Sequence, residues 1–461
     1  MAFDLQFLGA TERVTGSLYL VRAGQSTVVL ECGLVQGSPD EDARNREAFP
    51  FDVANIDAVV VSHSHIDHSG RVPLLVKQGY SGPIYTHEAS KALCEIMLPD
   101  SGYLNEKEAE WENKKRARKG KSRVLPLYTR EDAEASIGQF HGCEYDAPTE
   151  IAPGLTLTLF DAGHILGSSI VQLEYMDEGT VRTLVFSGDL GYRGAPLMDP
   201  TTRLEQADAV LMESTYGDRD HRPIAETIDE IAGVFESARA SQGNILIPAF
   251  TVGRTQDLLY LMAEHFDAWN LGKWKVFLDS PMGISATRVY SRFRNLFAAQ
   301  LFEPKSDYPH LPNLFETKSA EESMLINDIE SGAIIIAGSG MCSGGRILHH
   351  LKNNIWRPEC HLLMVGYQAA GTLGRRLVDG AGEIKLWGDT YRVRLRLHTI
   401  GGLSAHADQS DLLDWYASFR NRPPVYLVHG EERGQKPLLE KLRTELEAPA
   451  RIARYQQKIT V

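Results

Sequence analysis

The sequence predicts an α/β chain in which a β-rich domain is split by an inserted domain of parallel strands and flanking helices. Strand-like runs crowd the first 213 residues, helical segments alternate with short apolar strands from Arg222 onward, and strand-rich character returns after about Arg376. That order predicts a first domain over 1–213, an insertion over 214–376, and completion of the first domain over 377–461. A length of 461 residues with 43% hydrophobic residues is enough for two or three cores.

The opening runs FDLQFLG, SLYLVRA, STVVLEC and DAVVVSH are rich in β-branched and aromatic residues and end in turn residues, as do LTLTLFDAGH, SIVQLEY and RTLVFSGD. A charged, helical excursion from about Ser90 to Gln139 interrupts them. In the insertion, IAETIDEIAGVFESARA and RTQDLLYLMAEHF carry helical periodicity, whereas NILIPAF, KVFLDSP, AIIIAGSG and HLLMVGYQ read as buried strands. Strand and helix in alternation imply βαβ units and a parallel sheet. The last segment reads as strands EIKLWG and YRVRLRLH, helix SDLLDWYASF, strand PVYLVHG and helix LLEKLRTELE. Over YRVRLRLH a single strand would place Arg392, Arg394 and Arg396 on one face.

No stretch approaches the ~20 consecutive apolar residues that span a bilayer, and MAFDLQFLGA lacks the basic and apolar regions of a secretory leader. A cytoplasmic chain with no membrane partner is expected. The five cysteines are widely spaced without a CxxC pair, so neither a disulfide framework nor a cysteine zinc site is indicated. A net charge of −13 argues against indiscriminate nucleic-acid binding, although a local cationic groove reverses the sign at a site. One such run is NKKRARKGKSR at 113–123, with seven cations including Lys114, Lys115 and Arg116. It reads either as a solvated helix face or as a phosphate-contacting arm.

HSHIDHSG, at 63–70, places three of the fifteen histidines in six positions directly after the apolar run IDAVVVS. Loops leaving strand tips line the crevice of an α/β sheet, so the cluster favours a site. Imidazole nitrogen and carboxylate oxygen suit zinc and, less selectively, manganese or iron. Helix capping alone would need a single histidine. His164 in FDAGHILGSS, Asp189 in VFSGDLG and His429 in VYLVHGE also end apolar strands, and together these residues offer donors for two metals at one sheet edge.

With HSHIDH as its HxHxDH signature, the chain resembles the β-CASP nucleases of the metallo-β-lactamase superfamily. The likeness extends to ESTYGDR at 213–219, GSGMCSGGR at 338–346, GYQAAGTLGRR at 366–376, SAHAD at 404–408 and VHGE at 428–431. The resemblance implies an αβ/βα four-layer sandwich carrying an inserted β-CASP domain. It also implies two zinc ions per chain, with manganese as the other candidate: His63, His65 and His164 would hold one ion, Asp67, His68 and His429 the other, and Asp189 would bridge. A bridging hydroxide would attack the phosphodiester, His406 would protonate the leaving oxygen, and Glu213 would orient His406. The implied activity is that of a ribonuclease acting on single-stranded RNA, with internal cleavage expected and cleavage from an end left open. The insertion would close over the metals and leave a groove for an unpaired strand. A thioesterase- or lactonase-like hydrolase would share HxHxDH but need neither His406 nor an insertion, and the DNA-nuclease branch usually lacks a histidine at the position of His429. Self-association of copies stays open.

AIIIAGSGMCSGGRILHHL reads as a strand, a Gly/Ser-rich turn and a helix start, a geometry that offers backbone N–H groups to an anion, or simply a tight turn. The resemblance makes Ser339, Gly340 and Met341 an RNA-backbone contact. The chain departs from the family at Glu31 in VVLECG, where an aspartate is usual; the residue orients a ligand rather than binding metal, and glutamate can reach the same partner with altered geometry.

Overall fold

The computed structural model describes residues 3–37, 39–177, 179–298, 308, 311–369 and 371–461. Ala370, within GYQAAGTLGRR, therefore lies outside the described residues. The chain forms two compact units: Met1–Arg193, Pro200–Asp220 and His406–Val461 make the first, Gly194–Asp199 and His221–Ala405 the second.

The first unit contains two seven-stranded sheets. In one, Phe3–Phe7, Tyr19–Ala23 and Ser26–Leu30 run antiparallel to their neighbours, and Ala58–Val60, Ile84–His87 and Phe140–Cys143 extend it in parallel. In the other, Leu155–Asp161, Ser169–Asp177 and Thr180–Phe186 pair antiparallel, followed in parallel by Ala209–Met212, Val425–Leu427 and Ala450–Ile452. Period-two alternation sends one side of each sheet into a shared core, where Leu5, Tyr19 and Val60 meet Leu157, Leu173 and Phe186. The outer faces are also apolar and carry helices. Val59, Val61 and Ile84 pack with Val72, Cys94 and Ala133, while Val185, Val210 and Leu427 pack with Leu412, Leu438 and Leu442. These four layers are the αβ/βα sandwich expected from the sequence.

The second unit is built on six parallel strands in the order Leu314–Glu316, Lys275–Leu278, Ala333–Ala337, Ile245–Pro248, His361–Met364 and Arg396–Thr399. The last of these lies beyond residue 376, the expected end of the insertion. Arg396–Thr399 pairs with His361–Met364, and Ile384, Leu386 and Leu395 bury in the same core as Leu246 and Leu362, so the chain returns to the first unit only at His406. The expected single strand over YRVRLRLH is likewise two. Asp389–Arg392 forms a hairpin with Glu383–Leu386, the Arg394 and Leu395 N–H groups both turn to Ile355 O, and a different sheet begins at Arg396. The three arginines therefore do not share one strand face. Among the described residues no helix is long and apolar enough to cross a membrane.

Candidate metal centre

The first unit brings the strand-end donors together. His63 and His65 follow Ala58–Val60, Asp67 and His68 sit on the short helix Ile66–Ser69, and His164, Asp189 and His429 come from loops that follow strands of the second sheet. Close backbone approach makes this possible. A Cβ at Gly33 would lie 1.6 Å from Asp67 O, and one at Gly191 would lie 2.0 Å from Gly163 O, so glycine is needed at both places. Glu31 and His429 hold left-handed backbone at φ 64° and 46°, a conformation that costs non-glycine residues energy and clusters at functional sites.

The donor atoms form two sets, His63, His65, His164 with Asp189, and Asp67, His68 with His429, each within 4.8 Å of one another. In the first set His65 Nδ1 lies 3.1 Å from His63 Nε2 and 3.2 Å from His164 Nε2. In the second, His68 Nε2 lies 3.1 Å from His429 Nε2, which is 3.4 Å from Asp67 Oδ2. Asp189 faces both sets: Oδ2 is 3.6 Å from His63 Nε2, 3.7 Å from His164 Nε2 and 3.3 Å from His68 Nε2, and Oδ1 is 3.5 Å from His429 Nδ1.

These residues fit divalent cations. One proton on His65 Nδ1 cannot serve two imidazole nitrogens at once, whereas a cation accepts all three lone pairs. Asp189 Oδ1 is buried without a hydrogen-bond partner, which leaves a lone pair available to a metal. Burial pushes His63 well below the usual imidazole value and His65 to about 4, keeping both neutral, which is the ligating form. Burial also opposes a charge on His68, but Asp189 and Asp67 overcome it and raise that ring. A proton there compensates the carboxylates that a cation would otherwise neutralise.

Supporting contacts set the rings' orientation. Glu31 Oε2 is 3.0 Å from His68 Nδ1, while its Oε1 accepts from Ser62 N at 2.7 Å, so the longer glutamate does reach the imidazole. Two contacts were not singled out from the sequence: Ser62 Oγ lies 2.9 Å from His63 Nδ1, and Thr215 Oγ1 lies 3.1 Å from His429 Nδ1. Thr215 belongs to ESTYGDR, but a threonine there carries no periodic or spacing signal. His406 Nδ1 sits 3.3 Å from Glu213 Oε1 and 3.7 Å from Asp189 Oδ2. Asp189, Glu213 and His406 also make a third donor set. Burial works against a charge on His406, yet Glu213 and Asp189 raise it to about 9, so the ring keeps its proton at neutral pH. Glu213 is itself fixed by Leu190 N at 2.8 Å and Thr215 N at 3.2 Å.

The remaining sequence candidates lie elsewhere. Ser339, Gly340 and Met341 are in the second unit, in the turn between Ala333–Ala337 and Ile347–Asn354. That turn spends several N–H groups on itself: Ser343 and Gly344 donate to Ser339 Oγ, Cys342 to Ser339 O, and Ser339 to Gly344 O. An open ring of donors is therefore not formed at those four positions. Lys114, Lys115 and Arg116 close the helix Glu88–Ala117. Lys115 Nζ covers the Trp111 ring and Arg116 Nε donates to Ser122 O, and none of the three contacts a metal-centre residue among the described residues.

Comparison with known proteins matches residues 11–230 to the metallo-beta-lactamase superfamily, 255–377 to the Beta-Casp domain, and 390–453 to the Zn-dependent metallo-hydrolase RNA specificity domain. Ribonuclease TTHA0252 of Thermus thermophilus is 37% identical over 429 residues, covering 92% of each chain. Transcription termination factor FttA of Methanocaldococcus jannaschii is 30% identical over 443 residues, 93% of this chain and 67% of that one. A crystal structure of a protein of unknown function from Enterococcus faecalis matches over the whole of both chains with a TM-score of 0.53 at 12% identity, a likeness of fold alone. With these matches on a four-layer sandwich interrupted by a parallel-sheet unit, the chain belongs to the β-CASP family of the metallo-β-lactamase superfamily.

Proposed function

We propose that this chain is a zinc-dependent ribonuclease that hydrolyses phosphodiester bonds, chiefly within single-stranded RNA. The observation that carries the reading is the meeting of two His/Asp donor sets on Asp189 with a carboxylate-held histidine, His406, beside them. The ribonuclease and termination-factor relatives support RNA as the polymer.

In this reading His63, His65 and His164 would hold one zinc and Asp67, His68 and His429 a second, with the Asp189 carboxylate facing both sets; manganese would suit the same donors. The chemistry such cations would supply is a hydroxide nucleophile near neutral pH and compensation for the charge of the attacked phosphate. The chain's own residues do the rest. Glu31 fixes the His68 ring through Nδ1, and Ser62 and Thr215 do the same for His63 and His429, which holds the rings in orientation at the centre. Glu213 holds Nδ1 of His406, leaving the opposite nitrogen to protonate the departing ribose oxygen. Apart from Asp67 and His406, whose side chains are 20% and 21% exposed, the carboxylate and imidazole groups of the centre named in the ion pairs are nearly inaccessible. A phosphate would approach the centre on the side of Asp67 and His406, and an unpaired strand can bring its backbone to such buried groups more readily than a stacked duplex.

Digestion of one RNA labelled in turn at either end, beside a matching DNA, tests this reading. Internal products from RNA with DNA spared are expected. A preference for DNA, or turnover confined to thioesters and lactones, would replace it.

A further inference from the structure

A recess open to solvent lies in the first unit, lined by Arg13, Arg44 and Arg71 with Glu47, Phe49 and Tyr455. It contains none of the metal-centre donors. Arg71 is only 7% exposed, so its charge is largely removed from water. Its Nε donates to Gly33 O at 2.7 Å and its guanidinium lies 5.4 Å from the Phe49 ring centroid, but among the described residues no acceptor engages its two terminal nitrogens. Arg44 stacks over Tyr455 at 4.9 Å and has no carboxylate partner among the described residues. Arg13 is held by Glu41 at 3.3 Å. Three guanidinium groups against Glu47 and Glu41 leave the recess positive.

The Nε bond and the contact with Phe49 occupy only part of the Arg71 guanidinium; its terminal nitrogens are not among the buried unpartnered atoms, so they face the recess with no protein acceptor among the described residues and are free to take up a ligand. Planar N–H pairs bind carboxylate and phosphate oxygens bidentately, and several guanidinium groups around one opening suit the higher charge and third oxygen of a phosphate. We infer that this recess binds a phosphate group, carried by a free mononucleotide or by the end of an RNA chain. The wall is backbone-supported: Ala10 O accepts from His429 N at 2.7 Å and Arg13 O accepts from Gly430 N at 3.1 Å, so the site is preformed beside the metal centre without sharing its ligands.

The test is calorimetric titration of the metal-loaded full chain with inorganic phosphate and with adenosine monophosphate, comparing wild type with Arg44→Met and Arg13→Met. Arg44 is peripheral to the core, so its variant keeps the fold where Arg71→Met risks losing it. Phosphate bound at the metals is common to all three proteins. One further equivalent is expected in wild type, weakened roughly tenfold or more in Arg44→Met, with hydrolysis of a bis-aryl phosphate unchanged. Fluorescence anisotropy with short 2′-O-methyl RNA, with and without a 5′ phosphate, separates the sources. Loss of affinity in Arg44→Met only for the phosphorylated RNA assigns the site to a chain end, and loss confined to the mononucleotide assigns it to a free ligand. Equal stoichiometry and affinity in wild type and both variants would overturn the inference.

Discussion

Replacing His406 by alanine separates proton donation from metal binding. The ring lies 3.3 Å from Glu213 and 3.7 Å from Asp189, and all seven proposed ligands stay in place when it is removed. With its pKa raised to about 9, the ring is the protonated species at neutral pH, so the whole of its contribution as an acid is lost. General-acid catalysis contributes roughly 10²–10⁴ in rate, or about 3–5 kcal/mol at the transition state. The assay compares RNA with a bis-nitrophenyl phosphate under single-turnover conditions, with metal content measured on the same samples. Ribose oxygen is a poor leaving group and nitrophenolate a good one, so the loss should shrink sharply on the aryl ester. An equal loss on both substrates would show that His406 does not deliver the proton, and a fall in metal content would make it a ligand.

Asp189→Ala removes the carboxylate that both donor sets face, and hydrolysis should fall below detection together with bound metal; full turnover at unchanged metal content would refute the bridging role. In the second unit, buried Asp279 accepts hydrogen bonds from Thr317, Ser323, Arg346 and His350, and Asp279→Ala should cost roughly 3–5 kcal/mol, read by denaturant unfolding, because the Arg346 guanidinium and three buried donors lose their acceptor. Burial alone would raise the Asp279 carboxyl, but those hydrogen bonds, His350 first, hold it below the usual carboxylate range. Its stabilisation is therefore present above an unfolded value of about 3.9 and lost as pH falls below that, so wild type should lose more stability in acid than Asp279→Ala. Neutralising Lys114, Lys115 and Arg116 together should raise KM for RNA at unchanged kcat and flatten the salt dependence if that run is an RNA arm; unchanged KM would leave it a solvated helix end.

Much of the centre was legible because its chemistry sits at strand tips. IDAVVVS before HSHIDH, LTLTLFDAG before His164, RTLVFSG before Asp189 and VYLV before His429 each announce a buried strand and then a donor. Strand ends converge at one edge of a sheet whichever strands are neighbours, so the cluster was readable before the topology. Ser62 and Thr215 were not, since a hydroxyl that touches one nitrogen of a candidate ligand histidine leaves no pattern in a single sequence. Nor was the second boundary. EIKLWG and YRVRLRLH look like strands of any sheet, and only pairing of Arg396–Thr399 with His361–Met364 assigns the last of them to the second unit. Arginines at 392, 394 and 396 share a period of two, but the chain turns at Arg394, where its N–H bonds Ile355 O, and the period is broken. Glu31 could be placed beside a ligand from its motif, whereas its left-handed backbone and its two-sided grip on His68 and Ser62 needed the structure.

The central claim is that the histidines and aspartates of the first unit hold the metals that cut RNA. Elemental analysis of the purified chain, before and after chelation and after zinc is restored, with RNA cleavage followed on the same samples, tests it most directly. Two equivalents of metal per chain, loss of cleavage on chelation and its return with zinc are predicted. Undiminished cleavage by metal-free protein would contradict the account.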